Sequence, residues 1–252
     1  MNSIVFSTAY LHYNLLCWVQ YNLFILWLTV LFENVVLFNL YSRLFASKKF
    51  ISEGERKHTF DIVDFVGGTF VHPITIMLVH TVTTGPPDSY LYDIATFIPR
   101  SFLFEILFDL FHYWTHRIAH TVPVIYRVIH KKHHEHHLID INTTYHMGFF
   151  DVFLTVSLPF FLAASIIPVS DYSIMILYWY KTIVELAGHV GKEGGSSFPQ
   201  FIWLPKYFGF ELYSNDHNYH HMNGNCNFSK RFSLWDKVFG TYKNSRQNVL
   251  TT

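Results

Sequence analysis

LLCWVQYNLFILWLTVLF, residues 15–32, holds no Asp, Glu, Lys or Arg, and its apolar pattern runs on past Glu33 to Leu40. A bilayer-crossing helix needs about 20 such residues, so the stretch predicts one spanning helix over 15–40. A cleaved signal fits poorly, because the start has no basic segment and the apolar run is too long. Residues 62–82 are apolar but carry Asp64, His72, Pro73 and His80. Residues 94–114 are apolar apart from Arg100, Glu105 and Asp109. VFLTVSLPFFLAASIIPVS, residues 152–170, is uncharged, and a further apolar run precedes Lys181, so 152–187 is expected as a helical hairpin.

Composition points the same way. Of 252 residues, 50% are hydrophobic and only 14% charged, against about a quarter charged in a soluble domain. A soluble globule of this size cannot hide so much apolar surface behind so few charges, so disorder and nucleic-acid binding are excluded. Eighteen Lys and Arg balance eighteen Asp and Glu, and two cysteines exclude both a disulfide framework and a cysteine-ligated zinc module. Nothing marks a second domain or a repeat, and GKEGGSSFPQ (191–200) reads as a turn-rich loop. The expected fold is all-α: an integral membrane bundle of four to five helices in hairpins, one domain over 1–252. A histidine-rich helical cap is expected over 112–148 and 188–243.

Sixteen of the eighteen Lys and Arg lie in 41–58, 115–148 and 188–252, whereas 1–14 and 83–93 have none. The positive-inside rule therefore places the basic segments in the cytosol and the N-terminus and 83–93 across the membrane.

Thirteen of seventeen histidines fall between 112 and 221, on that basic side. His112, His116 and His120 are four apart, so on a helix they share one face. His130, His133 and His134 form an HxxHH pattern, repeated by His217, His220 and His221. Side chains at i, i+3 and i+4 are expected to converge, and a metal needs nitrogens converging at about 2.1 Å. The 116/120 pair and the two HxxHH patterns supply eight imidazoles and His189 a ninth; one tetrahedral ion uses about four, so two metals are expected. Imidazole suits Fe, Zn, Cu or Ni, and a pair of irons would open the way to dioxygen. His136 and His137 read as a solvated face, His146 as a structural or ligand-orienting residue, and His12 and His58 as ordinary packed or surface histidines. Glu185, one turn before His189, could orient it or act as a tenth ligand, and Asp216 and Asn218 are candidates for orienting the third cluster. H-E-x-x-H fails at Leu138, repeated Glu-x-x-His is absent, and no Gly-rich phosphate loop or G-x-S-x-G elbow occurs.

LFHYWTHRIAH (110–120), YRVIHKKHHEHH (126–137), DHNYHH (216–221) and the tail NCNFSKRFSLWDKVFGTY (225–242) together resemble the fatty acid hydroxylase / sterol desaturase superfamily of membrane non-haem di-iron enzymes. The resemblance covers roughly 100–243. It implies His116 and His120 in the first histidine box, His130, His133 and His134 in the second, and His217, His220 and His221 in the third. His189 matches an isolated histidine before a glycine turn, and His112 a position that is histidine in only some branches. Two iron ions, with zinc as a substitute in isolated protein, are implied as cofactors. So are a sterol or fatty-acyl substrate that is hydroxylated, desaturated or oxidised at a methyl group, and an endoplasmic reticulum membrane with the site facing the cytosol. The loop HHLIDINTTYHMG (136–148) lacks the APF-type segment of the methyl oxidases. No haem, flavin or nicotinamide motif is present, so electrons are expected from a cytochrome b5-type donor and its reductase, docking on Lys131, Lys132, Lys230, Arg231 and Lys237. The rival reading is a metal transporter or metal-binding scaffold, with Asp61, Asp64, His72 and His80 marking a path along the second span.

Overall fold

The computed structural model describes residues 2–52, 54, 60–193 and 203–244. Arg56, Lys57, His58, Arg246 and most of the 191–200 loop lie outside the described residues. The described residues form helices joined by loops, with a single isolated bridge between Phe50 and Lys192.

The first apolar stretch is two helices, not one: α1 (Asn2–Trp18) and α2 (Leu23–Leu44). Between them Gln20 and Tyr21 take left-handed φ angles of 51° and 54°, a conformation that ends a right-handed helix. The Asn22 side chain then caps α2 by accepting from the N–H groups of Phe24 and Ile25. The chain reverses here, so the expectation that 1–14 lie beyond the far face is corrected. α1 packs back along the bundle, and the Asn2 side chain accepts a hydrogen bond from Tyr180 at 2.6 Å.

α3 (Ile62–His80) pairs with α2, and the turn after α1 meets its far end, where Tyr21 stacks on His80 at 4.2 Å between centroids. α4 (Tyr90–Thr121) outruns the expected 94–114 span: its 32 residues reach about 48 Å at 1.5 Å per residue, against about 30 Å of hydrocarbon. That length is enough for the first histidine pair to stand outside an apolar layer. α5 (Phe149–Ile166) and α6 (Asp171–His189) follow in the expected order, but instead of packing on each other as a hairpin α5 lies against α4 and α6 against α1. The turn between them is tied to the loop before α4 by Thr84 N–H donating to Val169 and Asp171 N–H donating to Gly85.

Among the described residues three helices, α2, α3 and α5, are long and apolar enough to cross a membrane. The charges on α4 and α6 point inward and are paired: Asp93 accepts from Ser170, Ser173 and Arg100, and Glu105 pairs with Arg231 at 2.8 Å. Three short helices complete the cap: α7 (Trp203–Tyr207), α8 (Ser214–Asn223) and α9 (Leu234–Val238). The fold is thus an all-α membrane helical protein with a histidine-rich cluster at one end of the bundle.

Candidate metal centre

Nine buried or half-buried imidazoles meet at the end of the bundle opposite the α1–α2 turn. His116, His120, His130, His134 and His220 form one group and His133, His189, His217 and His221 a second; within each, the ligand atoms all lie within 4.8 Å of one another. These are the nine histidines expected from spacing, but they are partitioned differently. Each HxxHH box straddles both groups instead of converging on one point. His217 and His221, four apart on α8, face the second group, while His220 turns into the first. Adjacent helical positions diverge by about 100°, so a His-His pair serves two sites. The second box is not α-helical: His130 ends a π-helical stretch and His133 and His134 sit in a 3-10 turn.

The rings are held from behind. The Nδ1–H groups of His116, His220, His221 and His189 donate to the carbonyls of Phe228, Cys226, His136 and Glu185 at 2.7, 2.7, 3.1 and 2.9 Å. His130 Nδ1 donates to Asp151 Oδ1 at 2.8 Å. A carbonyl or carboxylate only accepts, so in these five the proton sits on Nδ1 and the Nε2 lone pair is left for a ligand.

Those lone pairs face each other. His217 Nε2 lies 3.1 Å from His189 Nε2 and 3.2 Å from His221 Nε2. A neutral His217 has at most one Nε2 proton, so one of these contacts sets lone pair against lone pair unless a cation lies among them. In the first group Nε2 of His130 and His120 are 3.1 Å apart, those of His220 and His134 are 3.2 Å apart, and His116 Nε2 is buried without a protein partner. Nitrogens about 2.1 Å from one ion stand about 3.0 Å apart at right angles and about 3.4 Å apart tetrahedrally. The donor set therefore fits a metal in each group. Burial, reinforced by neighbouring imidazoles, lowers His120 to about 2, and burial lowers His220 to about 3. The same causes hold His133, His134, His217 and His221 well below the usual 6.5, so all are neutral donors near pH 7.

The remaining candidates take other roles. His112 is in neither group; its Nδ1 donates to Thr155 O at 2.5 Å, within the π-helical part of α5, and it lines the cavity between the groups. Glu185 Oε1 pairs with Lys230 at 2.6 Å and lies 3.8 Å from His189 Nδ1. Asp216 accepts from Tyr213 N–H in the cap of α8, and Asn218 joins Ile139 N–H to the Ser52 hydroxyl. His146 bridges Asp64 and Glu135 at 2.6 and 3.2 Å. His137 is exposed as expected, but His136 is buried: its ring packs on that of His146, 4.1 Å between centroids, while its carbonyl accepts from His221. Asp151, which directly precedes the uncharged run 152–170, is a residue missed in the sequence; no spacing links it to His130.

Two expectations change. Lys230 and Arg231 are not a docking patch: their side chains are 13% and 0% exposed, engaged with Glu185 and Glu105. The four residues of the transport reading line no common path. Asp61 caps α3, Asp64 pairs with Lys132 and His146, His72 meets Lys181 at 3.2 Å, and His80 meets Asp171 at 2.8 Å at the far end.

A model of the fatty acid hydroxylase family matches residues 101–241. A fatty acid hydroxylase of Lecanicillium sp. is 34% identical over 148 residues, 55% of this chain and 40% of that protein. Cholesterol 25-hydroxylase of Mus musculus is 27% identical over 177 residues, 70% of this chain and 57% of that protein. A C-4 methylsterol oxidase of Schizosaccharomyces pombe is 31% identical over 158 residues, covering 58% and 47%. The chain spans about half the length of these relatives, and no solved structure matches it. All nine clustered histidines lie inside the matched segment, and the chain belongs to the fatty acid hydroxylase family.

Proposed function

We propose that the chain is a membrane-bound, dioxygen-dependent lipid oxygenase. Its two iron ions are held by His116, His120, His130, His134 and His220 and by His133, His189, His217 and His221. The observation that carries this reading is the pair of adjoining imidazole groups with Nε2 lone pairs turned inward. Iron in imidazole ligation supplies dioxygen activation and one-electron steps able to oxidise an unactivated C–H bond.

The protein's own contribution is positional. Carbonyls of Phe228, Cys226, His136 and Glu185 and the Asp151 carboxylate fix ring direction and tautomer. Burial of the cluster excludes bulk water. The cavity between the groups, bordered by His112, Met147 and Thr155, leaves room for a small reactant. The substrate is a sterol or fatty-acyl lipid entering from the bilayer, in line with the names of the relatives. Electrons come from a cytochrome b5-type donor and its reductase; the distribution of basic residues supports a cytosolic position for this end of the bundle, and the family resemblance an endoplasmic reticulum membrane.

Purified protein supplied with lipid, reductant and ¹⁸O₂ is expected to yield ¹⁸O-labelled lipid, and His134→Ala to yield none. Divalent cation uptake into vesicles with no oxygen consumption would favour the transport reading and sink this one.

A further inference from the structure

The chain that follows the third histidine box does not stay at the end of the bundle. Phe228 stands beside His116, whose Nδ1 donates to its carbonyl at 2.7 Å. From there the backbone descends along α4. Asp109 accepts from the N–H groups of Lys230, Arg231 and Phe232, and Arg231 Nε donates to Glu105 at 2.8 Å. The Phe232 ring packs against Ile98, Phe102 and Ile106, joined there by Leu204 and Phe210 from α7 and the turn after it. The return begins at Trp235, whose Nε1 donates to Ile106 O at 3.0 Å, and ends where Phe239 stacks on Tyr113 at 5.0 Å. From His116 down to Phe102 is about 21 Å of helix, at 1.5 Å per residue.

The spanning helix α5 gives the depth. Phe104 and Phe108 lie 4.9 and 6.0 Å from Phe160 between ring centroids, and Phe160 is near the middle of the uncharged run 152–170. The lowest part of the tail is therefore level with the middle of a helix apolar enough to cross a bilayer. Irregular backbone is tolerated at such a depth only where protein groups satisfy it. Here the N–H groups of Phe228 to Phe232 all go to two carboxylates, Asp236 and Asp109, and Ser233 N–H goes to Phe210 O. None of them needs water.

The outward side matches lipid. Phe210 stacks on Phe102 at 6.4 Å and Phe208 on Phe210 at 5.6 Å. Phe208, 56% exposed, thereby continues the surface that α4 presents at Leu103, 53% exposed. Tyr207 on α7 and Val238 on α9 are exposed as well. Lys206 and Lys237 stand on the same two short helices, and their long stems let the ammonium groups reach the head-group layer.

We propose that α7, the turn to Phe210 and the hairpin 228–239 form a re-entrant element seated in the leaflet on the histidine side, with Tyr207, Phe208 and Val238 against acyl chains. Glu105 and Asp109 are then the anchors of a membrane-inserted tail, not defects in a span. This placement holds whatever reaction the histidine groups perform.

The test is a depth measurement on the full chain in phosphatidylcholine nanodiscs, which leave both faces open to the bulk. A bimane fluorophore is attached at Phe208→Cys or Val238→Cys in a Cys17→Ser background, the buried Cys226 being left in place. Leu103→Cys is the lipid reference, and Asp88→Cys, exposed in the loop before α4, the aqueous one. Fluorescence at Phe208→Cys is expected to be quenched by a nitroxide on the lipid acyl chain as strongly as at Leu103→Cys. Quenching by iodide is expected to be several-fold weaker at both tail positions than at Asp88→Cys. Iodide quenching equal to that at Asp88→Cys overturns the proposal. Protection from iodide without quenching by the lipid nitroxide also overturns it, because a second copy of the chain would then cover the face. If the label at Phe208→Cys lowers helical content by circular dichroism, Tyr207→Cys replaces it and the same two criteria decide.

Discussion

The imidazoles of His133 and His134 stand edge to face, 5.4 Å apart at 89°, and consecutive residues thereby serve two different ligand groups. His134 Nε2 meets His220 at 3.2 Å, while the His133 ring lies 4.6 Å from that of His221. A His-His step on a tight turn thus divides two sites while keeping them adjacent.

Removing one ligand from each group should separate the sites. His120→Ala and His189→Ala are each expected to lower bound metal from two ions per chain to about one, and the double variant to near zero. Elemental analysis of protein purified with iron checks this. Loss of both ions from either single variant would show one shared site instead.

Asp151 orients His130 through a buried 2.8 Å contact. Asp151→Asn keeps the shape but removes the charge, and carboxylates behind metal-ligating histidines are worth roughly 10- to 100-fold in metal affinity or activity. Competition with a chelator should show that loss, with helical content unchanged by circular dichroism.

The metal-free protein should be acid-labile. His133, His217 and His221 are held well below 6.5, burial being the first cause and neighbouring imidazoles the second. In the unfolded chain they titrate near their ordinary value. Below about pH 6.5 the unfolded chain therefore takes up protons that the fold refuses, and stability falls with pH by roughly 1.4 kcal/mol per unit for each such histidine. Melting of metal-free protein in detergent should occur at a lower temperature at pH 5.5 than at pH 7.5. A constant or rising melting temperature would contradict the burial argument.

If the basic end faces the cytosol, a glycosylation acceptor inserted at Gly85 or in the Gln20–Tyr21 turn should be modified, and one near Lys243 should not. Both accepting positions share the end of the bundle opposite the histidines. Modification near Lys243 alone reverses the orientation.

Electron-donor docking is expected on exposed Lys131 and Lys237, since Lys230 is half-buried against Glu185 and Arg231 is buried against Glu105. Lys131→Glu with Lys237→Glu should slow donor-dependent turnover several-fold at low salt, and less at high salt, because such steering is screened. Rates unaffected at low salt would remove these lysines from the contact.

The nine clustered histidines were legible because imidazole spacing on short helical segments is a local signal. Their division into two groups was not, since it depends on the 3-10 turn at His133 and on how α8 faces the end of α4. The break at Gln20 and Tyr21 was hidden inside an uncharged stretch; neither is Gly, and its signal is confined to the polar Gln20 and Asn22 and to local bonds such as Tyr21 N–H to Leu16 O, which close the turn. Glu105 and Asp109 looked like interruptions of a membrane span, whereas each is matched to a partner distant in sequence. Lys230 and Arg231 were misread for the same reason, because charge alone does not say which way a side chain turns.

α4 has a consequence beyond the site. One helix of 32 residues starts at Tyr90, where Asp93 is tied to the far-face turn through Ser170, and ends one residue past His120. Nothing in its length can stretch, so the far leaflet and the histidine groups are held at a set separation, as by a ruler. A membrane a few ångströms thicker draws the cap toward its headgroups, and a thinner one lifts it away, tilting the helix or deforming the lipid. Catalytic competence should accordingly follow the thickness of the host bilayer.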